Sequence, residues 1–83
     1  MTKNLILTLH LHKRNYICDI EVAGDVTANE LVIALNQAYG LGIDLSDITQ
    51  CYLKTENPIA LLKGNKTLEE FGLRNGTIIN YLR

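Results

Sequence analysis

The chain carries no marked excess of charge of either sign: 8 lysines and arginines stand against 9 aspartates and glutamates. That balance argues against binding along a nucleic-acid backbone and against an acidic disordered tail. Long hydrophobic runs are also missing. Leu5 to Leu11 is broken by Thr8 and His10, too short and too polar for a signal peptide. Nothing approaches the roughly 20 apolar residues that cross a bilayer. The expected location is the cytoplasm, without direct membrane insertion. Cysteine is scarce. Cys18 and Cys51 lie far apart with no CxxC spacing. Each replaces an aliphatic residue in a strand pattern, so both read as reduced core residues; a disulfide or redox pair is the alternative. There is no glycine-rich run of phosphate-loop spacing, no internal repeat and no linker. No glycine follows Gly76.

The residues present fit one small domain spanning 1–83. A chain of this length buries roughly 60% of its unfolded surface, enough for one core but not for a deep catalytic cleft. The apolar share of 47% and the charged share of 20% are ordinary for a globular domain.

Leu5, Leu7, Leu9 and Leu11 alternate with Ile6, Thr8, His10 and His12, the period-two rhythm of a strand with one apolar face. After the polar break at His12 to Asn15, Tyr16 to Val22 alternates again, which predicts a hairpin. Thr27-Ala28-Asn29-Glu30 has capping-box spacing. It predicts a helix from Ala28 to about Tyr39, with Ala28, Leu31, Leu35 and Ala38 on the buried stripe, Ala34 beside it and Ile33 partly exposed. Gly40 and Gly42 supply the stop. Thr49 to Thr55 reads as a strand, and Asn57-Pro58 as a turn. Ile59 to Leu62 is a short strand. Thr67 to Leu73 reads as a capped single helical turn whose Leu68, Phe71 and Leu73 plug the core. Asn75-Gly76 turns into a last strand, Thr77 to Leu82.

The expected class is therefore α+β, in the order ββαββ, short helix, β. One helix cannot cover both sheet faces at this length. The prediction is a mixed five-strand sheet with one face in water and the first and last strands as a parallel central pair.

Catalytic patterns are weak. His10 and His12 share a strand face, and Asp19 lies on the next strand, but a metal site needs further ligands. Two solvent-facing histidines are the plainer reading. Asp44 and Asp47 fit a loop turn better than an acid–base pair, and Glu69 and Glu70 fit a helical cap. No cofactor, small-molecule substrate or nucleic-acid partner is expected. The feature that does point somewhere is apolar: Ile6, Thr8, His10, Tyr52, Ile78 and Leu82 are predicted to share the uncovered sheet face. Such patches mark partner sites, and tyrosine is a frequent anchor; scattered surface apolars are the alternative. Ile33 is a second, weaker candidate. Lys13 and Arg14 at the hairpin tip either steer an acidic partner or are simply solvated.

The element order resembles the β-grasp fold of ubiquitin over nearly the whole chain. The most specific stretch is Thr67-Leu68-Glu69-Glu70-Phe71-Gly72-Leu73-Arg74-Asn75-Gly76-Thr77-Ile78-Ile79. It is similar to the ubiquitin segment that starts threonine–leucine, passes through an aromatic turn and enters the last strand. Within that superfamily the chain resembles the bacterial YukD/EsaB family. The resemblance implies a small cytoplasmic accessory or regulatory component of a type VII (WXG100/ESX) secretion system, acting non-catalytically through protein partners. It also implies recognition through the open sheet face, where ubiquitin has an apolar patch at positions corresponding to Tyr52 and Leu82. A protein modifier or sulfur carrier needs a flexible di-glycine tail. With Leu82 paired, only Arg83 would be free, so conjugation is not expected. Plant-type ferredoxins share the fold but need four cysteines. A generic ubiquitin-like adaptor remains the alternative.

Overall fold

The computed structural model describes residues 3–82, with residues 48–50 in backbone only. Strands β1 (Asn4–Leu11) and β2 (Tyr16–Ala23) form the first hairpin, and helix α1 (Ala28–Tyr39) comes next. Then come β3 (Leu53–Glu56), β4 (Ala60–Leu62) and β5 (Ile78–Tyr81). The sheet order is β2-β1-β5-β3-β4. β1 and β5 are the parallel pair, with Thr8 opposite Ile78 and His10 opposite Asn80. The predicted α+β architecture is found.

The sheet has one dry face because of alternation. Leu5, Leu7, Leu9 and Leu11 are buried, and so are Ile79 and Tyr81 on β5 and Leu53 on β3. Each fully buried leucine contributes about 1.5–3 kcal/mol of transfer free energy. The helix covers this face with Ala28, Leu31, Val32 and Leu35. Here the predicted stripe needs correction: Ala34 and Ala38 do not join the buried set, and Val32 and the half-buried Tyr39 take the inner positions. The helical period carries the stripe from Ala28 through Val32 and Leu35 to Tyr39, and the larger side chains bury more area.

Both ends of α1 are closed as the sequence implies. The Thr27 hydroxyl accepts from the Glu30 amide and Glu30 accepts from the Thr27 amide. Gly40 closes the far end at φ 58°, in the left-handed region that favours glycine. The same reciprocal pair recurs at Thr67 and Glu70. This second cap opens a single hydrogen-bonded turn, not a regular helix. Leu73 donates to the Leu68 carbonyl and Gly72 to that of Glu69, a Schellman closure that ends the turn at once. Leu68 and Leu73 are buried, and Phe71 is half-buried.

The two capped turns are tied together. Ala28 donates to the Lys66 carbonyl, Leu68 to that of Val26, and Glu69 to that of Gly24. Gly24 sits so close to this second turn that a Cβ there would lie 2.7 Å from Glu69 Cγ.

Several strand boundaries differ from the sequence reading; β4 begins at Ala60, not Ile59, and β5 at Ile78, not Thr77. Residues 45–50 form a kinked 3-10 segment, so β3 begins at Leu53, not Thr49. The Cys51 thiol donates to the Asp44 carbonyl at 3.3 Å, which closes this segment into a loop. At the other end β5 stops at Tyr81. Leu82 lies just past the strand, and Arg83 is outside the described residues.

Candidate functional site

The alternation that buries the leucines turns Ile6, Thr8 and His10 to the opposite face of β1. On β5 it does the same for Ile78 and Asn80, and Leu82 continues in phase. Tyr52 is 38% exposed and borders a small hollow with Lys54, Asn80, Tyr81 and Leu82.

These residues do not make one continuous apolar surface. Ile6, 50% exposed, lies at the Asn75 end, where its amide donates to the Asn75 side chain. The middle of the face is polar. Thr8 donates to an Asp19 oxygen at 3.1 Å. The His10 and His12 rings stack with centroids 3.6 Å apart, and His12 Nε2 lies 2.7 Å from Asn80 Oδ1. Among the described residues, no three His, Cys, Asp or Glu side chains gather into a cation site.

The apolar weight of the face sits instead where β4, β3 and β5 meet. Ile59 is 90% exposed, Leu82 52% and Leu61 43%. With Ala60, and with His12, Lys54, Glu56 and Asn80 around them, they line a hollow of about 490 Å3. Ile59 and Leu61 were not among the residues predicted from sequence. The signal was available: in Ile59-Ala60-Leu61-Leu62 every position is apolar. Leu62 is buried opposite Leu53, so alternation turns Leu61 outward. On an edge strand of three residues, both faces being apolar is the anomaly.

Arg14 is not merely solvated. Its guanidinium donates to the Tyr39 and Gly40 carbonyls, capping the negative end of the α1 dipole from the hairpin tip. Arg14→Ala is expected to cost about 1–2 kcal/mol, read as a lower urea midpoint at unchanged m-value. If 1 M salt removes the difference between wild type and variant, the contribution is mainly Coulombic.

Cys51 is buried, but Cys18 is only half-buried, which corrects its assignment to the core interior. β2 is an edge strand, and edge residues are covered from one side only. The Cys18 thiol lies 3.5 Å from the Tyr39 hydroxyl. That hydrogen bond, then desolvation and the nearby thiol and Tyr16 charges, pushes the Tyr39 phenol up to about 12. Asp44 accepts from the Ser46 amide, which lowers its carboxyl below the usual range. Glu70 is lowered for the same reason by Thr67. Both carboxylates are therefore turn-forming groups.

No described helix is long and apolar enough to cross a membrane. The structure is similar to the ubiquitin-like domain of tubulin-binding cofactor B, with 18% identity, a TM-score of 0.73, and 96% of this chain and 89% of that one covered. It is similar to the C-terminal ubiquitin-like domain of mouse tubulin-specific chaperone e at 13% identity and a TM-score of 0.67, covering 99% and 90%. It also matches the UBL domain of yeast Ddi1, at 21% identity and a TM-score of 0.62, over 92% of this chain and 86% of that one. At such identities the likeness establishes the fold. A search of curated sequences gave no significant match. The model of one family, described as WXG100 protein secretion system (Wss), protein YukD, matches residues 6–80. The chain belongs to the YukD family of the WXG100 secretion system.

Proposed function

We propose that this protein is a non-catalytic, non-conjugated component of type VII secretion that works in the cytoplasm by holding a protein partner on its open sheet face. The observation that carries the reading is the apolar hollow at Ile59, Leu61 and Leu82 on the side that α1 leaves uncovered. Water contact with three large aliphatic side chains is unfavourable, and covering them releases that cost. Tyr52 at the neighbouring hollow adds an aromatic anchor. Ile6, Thr8, His10 and Ile78 extend the face along β1 and β5. A docked partner that buries about 800 Å2 would span from the hollow across His12 and Asn80.

Deleting the gene in its native host is expected to stop export of WXG100 substrates while they accumulate inside the cell. The wild-type copy restores export. A copy carrying Leu61→Asp and Leu82→Asp does not, although its far-UV circular dichroism and its cellular level match the wild type. Normal export without the gene would remove the secretion role. Full rescue by the double variant would move the contact elsewhere.

A further inference from the structure

We propose that the β2 edge, separate from the hollow above, receives an extended segment of a partner carrying alternating basic and apolar residues. Three observations converge on it.

The first is an open backbone row. On β1, Thr8 N donates to the Thr77 carbonyl and the Ile6 carbonyl accepts from Gly76. The even-numbered β1 residues therefore turn their peptide groups toward β5, and Leu5, Leu7, Leu9 and Leu11 turn theirs toward β2. Their partners on β2 are Val22, Ile20, Cys18 and Tyr16. Ile17, Asp19 and Glu21 consequently direct their N–H and C=O groups to the outer edge. Among the described residues no strand pairs there. The two edges of the sheet are unequal. β4 has three residues, whereas β2 has eight. The β1–β2 register runs without a bulge from Asn4 opposite Ala23 to Leu11 opposite Tyr16. β2 contains no proline and no lysine. Of the usual devices that protect a long edge, β2 carries only the charges of Asp19 and Glu21.

The second is a half-covered apolar row. Leu5, Leu7, Leu9 and Leu11 are fully enclosed, but their β2 counterparts Cys18, Ile20 and Val22 are only partly buried against the same core. An added strand would place every second side chain over this row.

The third is charge. The outward face of β2 carries Ile17, Asp19 and Glu21, and the strand holds no cation. The two carboxylates are steadied from the β1 side by Thr8 and Asn4. Antiparallel pairing with a second copy would set Asp19 opposite Asp19 or Glu21 when centred on residue 19 or 20, and like charges directly opposed destabilise a sheet. A foreign strand with lysine or arginine at alternate positions turns that repulsion into attraction. Backbone hydrogen bonds supply affinity, and the alternate side chains supply selectivity.

The probe is a capped peptide of alternating lysine and valine, eight residues long to match β2. Controls are the alternating glutamate–valine peptide and a block peptide of four valines and then four lysines. The lysine–valine peptide is expected to shift the amide signals of Ile17, Asp19 and Glu21 in 15N-labelled protein and to slow their hydrogen exchange. It should bind at least about tenfold more tightly than either control, a difference of about 1.4 kcal/mol. In the Asp19→Lys, Glu21→Lys variant the preference should invert toward the glutamate peptide. Equal binding of the alternating and block peptides, or shifts confined to Ile59, Leu61 and Leu82, would overturn the proposal. So would movement of the β2 signals with protein concentration alone, since that would make a second copy the occupant.

Discussion

Leu9→Ala is expected to lower the stability of the protein by about 3–4 kcal/mol, the largest effect of any single truncation considered. Leu9 is fully buried on β1, in the middle of the sheet. It faces Cys18 across the hairpin and Ile79 across the parallel pair. The neighbours that would have to move into the vacated space are anchored by those two ladders, so the cavity collapses only partly. A domain of this size has on the order of 4–12 kcal/mol to lose. The variant should therefore unfold at a much lower urea concentration with the wild-type m-value. A loss below about 1 kcal/mol would mean that the sheet closes over the gap, and the rigid central pair inferred here would be wrong.

The same central pair explains why so much of the fold could be read from the sequence. Leucine at every second position of β1, set against Thr8 and His10, defines both the strand and its buried face. The caps at Thr27 and Thr67 are written in four residues each, because a threonine and a glutamate three positions apart satisfy each other's backbone donors. The missed features have another character. Just before β3 the Cys51 thiol folds back on the Asp44 carbonyl, and no periodicity reports such a loop. The role of Arg14 depends on α1 ending near the hairpin tip, a contact between residues that local pattern does not connect. At the candidate site, parity placed Leu82 and Ile78 on the outer face. The apolar hollow was missed because Ile59 to Leu62 is apolar at every position, so alternation within it has no contrast. Only its pairing with β3 reveals which residues face water.

Thr77→Val is the second large effect, and it tests polar rather than apolar packing. Thr77 is wholly buried just before β5. Its hydroxyl donates to the Asn57 carbonyl at 2.7 Å and accepts from the Arg74 amide at 3.1 Å. Valine has nearly the same shape, so no cavity is made. Two backbone groups are left without their partner, and together they should cost about 2–3 kcal/mol. Thr77→Ser keeps both bonds and loses one methyl group, for about 1 kcal/mol. Valine should therefore be the worse substitution, a reversal of what hydrophobic scales alone predict. If serine proves worse, the methyl group and not the hydroxyl matters at this position. The consequence reaches the candidate site, because Asn57 begins the turn from β3 into β4 and is held a second time by the Arg74 guanidinium at 2.7 Å. That turn presents Ile59 and Leu61. In the valine variant, amide exchange should accelerate first between residues 56 and 62, and the hollow should lose its definition before the sheet as a whole unfolds.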